Sequence, residues 1–176
     1  MLFFFPLIFG FYLNYLSIPV VRKRAEKRIS NPYSPLPDMI HDLIPPIPFL
    51  SPDYFICFSL FLSLLYKLNN IEKNVLCMGI CSIIRSLFIM LTIMPTCSPK
   101  KTEIESSSLY DVYVLSTHDL MFSGHSIIFI GIGNIINSKI VIILGPLLSV
   151  CSRQHYTIDV CVSGLMYYTV YTLLDL

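Results

Sequence analysis

The distribution of apolar residues constrains this chain more than any other feature of its sequence. Hydrophobic residues make up 55% of the 176 positions and charged residues only 13%, about half of the roughly 25% that is typical of soluble domains. A soluble domain of this length could not bury so much apolar surface, so we expect lipid to surround part of the protein. The length suits a single domain, residues 1–176, and the formal net charge of +1 gives no indication of nucleic-acid binding.

The apolar residues fall into six segments that approach the roughly 20 residues needed to span a bilayer as a helix. These segments are residues 1–21, 53–68, 74–95, 119–137, 139–153 (interrupted by Gly145-Pro146) and 156–176. The first segment has no basic residue ahead of its apolar run and no evident cleavage site, which favours a membrane anchor over a cleaved signal peptide. The sequence therefore predicts an all-α integral membrane protein, a bundle of six transmembrane helices.

The connections between the segments predict which parts of the chain lie on each face of the membrane. Residues 22–52 carry a basic run followed by seven prolines, which should exclude a regular helix there. Six crossings would place the loops after the first and third segments, and the junction of the fifth and sixth, on one membrane face. His125 begins the fourth segment and His155 closes the fifth, so both are expected on that face.

The first candidate catalytic pair is formed by His155 and Asp159. Their spacing of four residues would place both side chains on one face of a helix. A carboxylate there can orient one imidazole nitrogen and support positive charge on the ring, which leaves the other nitrogen as a nucleophile or base. A polar pair that only caps a helix at the membrane interface is the alternative.

Ser123-Gly124-His125 is the second candidate string. A serine before an apolar run suits a helix N-cap, and a glycine lets a substrate approach the backbone. The free N–H groups of a helix start favour a phosphate, and an imidazole there could protonate a leaving oxygen. Ordinary helix capping is the alternative for this string.

Arg85 is the one clear cation within a predicted span. Charge at membrane depth is costly, so such a residue is a functional candidate. Arg85 could hold a phosphate through bidentate hydrogen bonds, or it could snorkel or pair with Asp111 or Asp119. Asp119, which follows His118, could also polarise the site.

These strings resemble the two active-site motifs of sphingomyelin synthases, which belong to the superfamily of type-2 phosphatidic acid phosphatases. The matching strings are Ser123-Gly124-His125-Ser126 and His155-Tyr156-Thr157-Ile158-Asp159-Val160. Two further stretches agree, namely Pro35-Leu36-Pro37-Asp38, and residues 85–95 followed by Cys97-Ser98-Pro99-Lys100. The resemblance covers nearly the whole chain, in order and with similar helix spacing.

The resemblance implies a six-helix membrane enzyme that transfers phosphocholine from phosphatidylcholine to ceramide, giving sphingomyelin and diacylglycerol. It assigns the catalytic triad to His125, His155 and Asp159, and we expect a phosphohistidine intermediate with no metal or cofactor. The residues expected to bind substrate are Arg85, Ser123, Gly124, Asp119 and Tyr156. The alternatives are a ceramide phosphoethanolamine synthase, a lipid phosphate phosphatase with water as acceptor, and a membrane protein without enzymatic activity. A homo-oligomer is compatible with the sequence.

The chain departs from this family in residues that bear on the donor lipid and the orientation. Thr117-His118-Asp119 stands where the family often has Cys-Gly-Asp, and Arg153-Gln154 stands where it commonly has His-Asp, so a cation could alter headgroup preference. The resemblance implies a Golgi, endomembrane or plasma-membrane location with a lumenal or exoplasmic active site. The Lys and Arg residues suggest the opposite orientation, because eight of them would lie on the catalytic side and three on the other.

Overall fold

The computed structural model describes residues 2–28, 35–47, 51–63, 65, 68–95, 97 and 121–176. Within these ranges the chain is helical and forms no strand, which confirms the predicted all-α class. A short 3-10 turn at Leu2–Phe4 precedes seven helices: α1 (Phe5–Arg28), α2 (Met39–Leu43), α3 (Pro52–Ser63), α4 (Ile71–Leu91), α5 (Gly124–Ile135), α6 (Lys139–Cys151) and α7 (Thr157–Leu173).

Three helices begin at a side chain that caps their first turn. Asp38, Ser123 and Ser138 accept hydrogen bonds from first-turn N–H groups of α2, α5 and α6, respectively. These N–H groups have no partner within their own helix, so an oxygen acceptor at the preceding residue satisfies them. Local sequence therefore determines where α2, α5 and α6 begin.

The prediction that residues 22–52 contain no regular helix was wrong in two places. Helix α1 continues through the basic run and ends at Arg28. The five-residue helix α2 forms between Pro37 and Pro45, with Asp38 as its N-cap. Prolines that flank a helix remove none of its internal hydrogen bonds, and Pro37 and Pro45 both lie outside α2.

The prediction that Gly145-Pro146 interrupts its segment was also wrong, because α6 runs continuously from Lys139 to Cys151. A Cβ atom on Gly145 would lie 2.2 Å from Cγ of Phe129. The absence of a side chain therefore lets α6 approach the Phe129 ring of α5. Glycine at a helix contact permits such close packing.

Helix α4 lies at the centre of the bundle and packs against α1, α5 and α7. The two helices α4 and α1 lie close together at Gly79, where a Cβ atom would lie 2.5 Å from the backbone nitrogen of Leu7. This packing brings the second half of α4, which carries Arg85, beside the start of α5.

Helix α4 is also the one helix in the described ranges that is long and apolar enough to cross a membrane, with 21 residues and a mean hydropathy of 2.0. Helices α3, α5 and α6 have 12, 12 and 13 residues, which corresponds to about 18–20 Å at 1.5 Å per residue. A bilayer core is about 30 Å thick. The structure thus gives weak support for a membrane protein, and the six-span bundle stays a prediction.

Candidate active site

His125 lies in the first turn of α5, directly after the capping residue Ser123 and the first helical residue Gly124. The Ser123 hydroxyl accepts a hydrogen bond from the N–H of Ser126 at 3.1 Å, which confirms the predicted N-cap. The Ser123 carbonyl accepts a hydrogen bond from the Ser163 hydroxyl of α7 at 3.0 Å. Ser123 is fully buried, so in this structure its hydroxyl holds the start of α5, and a substrate contact for it stays a prediction.

His155 lies in the turn between α6 and α7, two residues before α7 begins. Its N–H donates to the carbonyl of Ser149 at 3.1 Å, and only 4% of the residue is exposed. Tyr156 is the N-cap of α7 and has an extended backbone. The prediction that His155 and Asp159 share the face of one helix was therefore wrong, because only Asp159 is helical.

Capping, rather than helical spacing, brings His155 and Asp159 together. Asp159 lies in the first turn of α7, and its Oδ2 accepts a hydrogen bond from the N–H of Tyr156 at 3.0 Å. The same Oδ2 lies 3.8 Å from Nδ1 of His155, and the two side chains are 0% and 5% exposed, respectively. The sequence spacing was thus informative about proximity, although for a different structural reason.

Two atoms of this pair are left without a hydrogen bond. Among the described residues, Nδ1 of His155 and Oδ1 of Asp159 are buried and unpaired. The 3.8 Å between Nδ1 and Oδ2 exceeds the length of a hydrogen bond. Buried polar atoms without a partner are rare in folded proteins, and functional sites are one place where they occur.

Burial also sets the protonation state of His155. Desolvation is the largest influence on its pKa and lowers it below the ordinary value of 6.5, while the Asp159 carboxylate opposes this effect. The nearby charges of His125 and Arg85 lower the pKa further. The imidazole of His155 is therefore neutral at pH 7, as a nucleophile requires.

The rings of His125 and His155 come together at one site. Their centroids lie 5.7 Å apart, and the rings meet edge to face at an angle of 64°. The packing of α5 against α6 and α7 produces this contact between residues from different parts of the chain. The two histidines therefore meet in the fold, and their location on one membrane face stays a prediction.

A second carboxylate, which the sequence analysis missed, lies beside His125. Oδ1 of Asp53, in the first turn of α3, accepts a hydrogen bond from Nε2 of His125 at 2.9 Å. This pair is more open than the first, since the side chains of His125 and Asp53 are 26% and 50% exposed. In the sequence, Asp53 is the first residue of the apolar segment 53–68. An acidic side chain at the very start of such a span was the signal that could have identified it.

Arg85 borders the same site and is buried in α4. Its Nε donates to the carbonyl of Phe122 at 2.6 Å, and its Nη1 donates to Oδ1 of Asn14 in α1 at 2.7 Å. A Cβ atom on Gly124 would lie 3.4 Å from Nε of Arg85. The guanidinium group therefore lies against the start of α5, next to His125.

Several predicted contacts cannot be placed. Asp119, Asp111 and His118 lie outside the described residues. Their expected roles at the site stay predictions.

Tyr156 and Arg153 are both engaged with the backbone of other segments. The Tyr156 hydroxyl accepts a hydrogen bond from the N–H of Leu36 at 2.9 Å and donates to the carbonyl of Pro95 at 3.2 Å. The Arg153 guanidinium donates to the carbonyls of His41 and Ile44 at 2.5 and 2.9 Å. In this structure both side chains therefore link the region between α6 and α7 to other segments of the chain.

In the part of the chain that the structure describes, no group of three or more His, Cys, Asp or Glu side chains is arranged to hold a metal ion. Comparison with protein-family models, with curated proteins and with solved structures produced no match. The function of the site therefore has to be inferred from its geometry and from the motifs of the sequence.

Proposed function

We propose that this protein is a membrane-embedded phosphotransferase that moves phosphocholine from phosphatidylcholine to ceramide, giving sphingomyelin and diacylglycerol. The observation that supports this proposal most is the pair of histidine rings 5.7 Å apart, each with its own carboxylate. Two successive displacements at phosphorus need one nucleophile and one group that acts first as an acid and then as a base. Two imidazoles in different environments supply both.

His155 is the nucleophile in this proposal. With Nδ1–H directed at Asp159, the lone pair of Nε2 attacks the phosphorus of the donor lipid. The bond between phosphorus and the diacylglycerol oxygen breaks, and a phosphohistidine forms. Asp159 balances the positive charge that appears on the imidazole ring, as an orienting carboxylate does in hydrolase triads.

His125 moves the protons. Its Nε2–H is held by Asp53, so Nδ1 is the nitrogen that exchanges a proton with the substrate. In the first displacement the His125 imidazolium protonates the departing diacylglycerol oxygen. In the second, neutral His125 takes the proton of the ceramide hydroxyl, which attacks phosphorus and releases His155.

Two positive features of the site suit the phosphate oxygens. Arg85 lies against Gly124, which is the first residue of α5. A helix N-terminus and a guanidinium group both stabilise negative charge that develops on a transferring phosphoryl group. Preorganised donors of this kind need no rearrangement as the charge develops.

The exposed apolar side chains fit lipid substrates and a membrane setting. Phe5, Leu91 and Leu165 are 66%, 79% and 73% exposed, on three different helices. A multi-pass membrane protein of the Golgi, endomembrane or plasma membrane, with a lumenal or exoplasmic site, is the location that we propose from the family resemblance.

A lipid phosphate phosphatase is the second candidate, and one observation favours it. His125 and Asp53 are 26% and 50% exposed, so water can reach the base that would activate the acceptor. The same residues would then transfer the phosphoryl group from His155 to water. Phosphatidylethanolamine in place of phosphatidylcholine would use identical steps.

The test uses membranes that contain the protein, fluorescent ceramide, and either phosphatidylcholine or phosphatidylethanolamine. The His155→Ala variant is assayed in parallel, with Asp42→Asn, an exposed carboxylate of α2, as a matched control. A new sphingolipid that depends on His155 supports the transferase, and the donor that works identifies the headgroup. Free phosphate from a lipid phosphate monoester, without a sphingolipid product, would favour the phosphatase. If neither product forms, both proposed functions are overturned.

A further inference from the structure

Residues 35–47 form a strap that crosses over the turn that carries His155. The strap contains Pro35-Leu36-Pro37-Asp38 and helix α2, and it is held to residues 151–157 along its whole length. At one end, the N–H of Leu36 donates to the Tyr156 hydroxyl at 2.9 Å. At the other end, the N–H of Ile47 donates to the carbonyl of Cys151 at 3.0 Å.

Asp38 is the main connection between the strap and α7. Its Oδ2 accepts a hydrogen bond from the N–H of Thr157 at 2.7 Å, and its Oδ1 accepts one from the Thr157 hydroxyl at 2.7 Å. Oδ1 also accepts the N–H groups of Ile40 and His41, both at 3.1 Å. Asp38 therefore caps α2 and the first residue of α7 at the same time.

These hydrogen bonds keep Asp38 ionised. Burial by itself would raise the pKa of the carboxyl group, but the hydrogen bonds from Thr157 and His41 outweigh it, and the pKa lies below its ordinary value. A charged acceptor makes hydrogen bonds about twice as strong as a neutral one. The link between the strap and α7 thus consists of charge-assisted hydrogen bonds.

His41 adds a contact on the other side of His155. Its Nε2 lies 3.2 Å from the carbonyl oxygen of His155, and its ring centroid lies 5.7 Å from that of Tyr156. The strap consequently contacts His155, Tyr156 and Thr157 in succession. Arg153 has a left-handed backbone with φ of 61°. Its guanidinium group connects the same turn to the strap through hydrogen bonds to the His41 and Ile44 carbonyls.

We propose that the strap is a positioning element, in which Asp38 and His41 hold the turn so that the His155 imidazole stays enclosed and aimed at its carboxylate and at His125. Its catalytic consequence rests on the proposed function, because His155 is the nucleophile only there. Residues 152–156 form an irregular turn, so contacts from outside the turn have to fix its geometry. A nucleophile that is misplaced by about 1 Å can lose roughly 100-fold in rate.

The experiment measures how fast diethyl pyrocarbonate modifies each histidine of the full-length protein in membranes, by peptide mass spectrometry. The variants are Asp38→Asn, which removes the charge, and Thr157→Val, which removes one hydrogen bond while keeping the shape of the side chain. Thr157→Ser restores the hydroxyl, and Asp42→Asn removes an exposed charge from the same helix. His125, whose ring is hydrogen-bonded to Asp53 of α3, serves as the internal reference.

We expect His155 to react slowly in the wild type and about tenfold faster in Asp38→Asn, with a smaller increase in Thr157→Val. Thr157→Ser and Asp42→Asn should behave like the wild type, and His125 should change in none of them. Unchanged reactivity of His155 in both Asp38→Asn and Thr157→Val would overturn the proposal. An equal increase at His125 and His155 would also overturn it, since that pattern reports general unfolding.

Turnover distinguishes this proposal from the proposed function. In an active protein, Asp38→Asn should lower kcat about 10- to 100-fold and leave KM for the donor lipid nearly unchanged. A wild type without any transfer activity would refute the proposed function, while the histidine reactivities would still decide whether the strap encloses His155. If Asp38→Asn does not insert into the membrane, the comparison of Thr157→Val with Thr157→Ser tests the same proposal.

Discussion

The two histidines of the site sit in opposite surroundings. His155 is 4% exposed in a turn, and its carboxylate partner Asp159 is completely buried. His125 begins a helix, with a side chain that is 26% exposed, and its partner Asp53 is 50% exposed. One histidine–aspartate pair is therefore enclosed by protein, and the other is open to the surroundings.

In the proposed mechanism, this difference suits two chemically identical side chains to distinct tasks. Enclosure keeps the His155 imidazole neutral and removes competing water, which favours a nucleophile. Exposure lets His125 exchange protons with a leaving group, an incoming alcohol or water. In the proposed mechanism, the environment of each ring, rather than its residue type, separates the nucleophile from the acid and base.

The largest expected effect comes from removing each histidine in turn. His155→Ala should reduce transfer from natural donors to background, a loss of at least about 10⁴-fold. His125→Gln should cost roughly 10²- to 10⁴-fold. With p-nitrophenyl phosphocholine as donor, whose leaving group needs no proton, His125→Gln should recover to within about tenfold of the wild type in the release of nitrophenol. His155→Ala should not recover.

The activated donor thus separates the two roles in one spectrophotometric assay. Recovery of His155→Ala, or an equal failure of both variants, would contradict the assignment of nucleophile and acid. The control is membrane insertion of each variant, assessed by detergent extraction and by the size of the extracted protein.

A smaller difference should separate the two carboxylates. Asp159→Asn leaves His155 with a wrongly oriented or uncompensated ring and should lower kcat by roughly 10²- to 10⁴-fold. Asp53→Asn removes a half-exposed partner and should cost only about tenfold, because solvent replaces part of the interaction. Steady-state kinetics of the two single variants and the double variant measure this contrast. If Asp53→Asn proved as damaging as Asp159→Asn, the open pair would be as essential as the enclosed one.

The smallest expected effect is on stability at mildly acidic pH. Because the pKa of His155 in the folded state lies below 6.5, the unfolded state binds more protons as the pH falls through 6.5, and stability declines with acidification. His155→Gln removes this titration. Between pH 7.5 and 5.5 the wild type should lose about 2–4 °C more in its unfolding midpoint than the variant, the change that roughly 1 kcal/mol produces at this size. His41→Gln is the control for the other histidine whose pKa is lowered by burial. If the stability curves of the wild type and His155→Gln coincide, His155 is not buried as a neutral group.

Sequence patterns indicated which residues come together better than they predicted the local backbone structure around them. The apolar segments indicated six of the helices, and the Ser123 cap follows from a short polar side chain ahead of an apolar run. The helix over Met39–Leu43 was missed because prolines on both sides of it were treated as if they lay inside it. Asp53 was missed because an apolar run was assessed as a span and not for the charge at its first residue.

The sequence by itself determined the all-α class, the start of α5, and the presence of two histidines and a carboxylate near helix ends. Those properties depend on local periodicity and on capping, which act over a few residues. Only the tertiary structure decided that Asp53 is the partner of His125, that Asp38 joins Thr157 across more than a hundred positions, and that His155 is enclosed while His125 is open. Such pairings and degrees of burial arise from how helices distant in sequence pack together, and no local pattern contains that information.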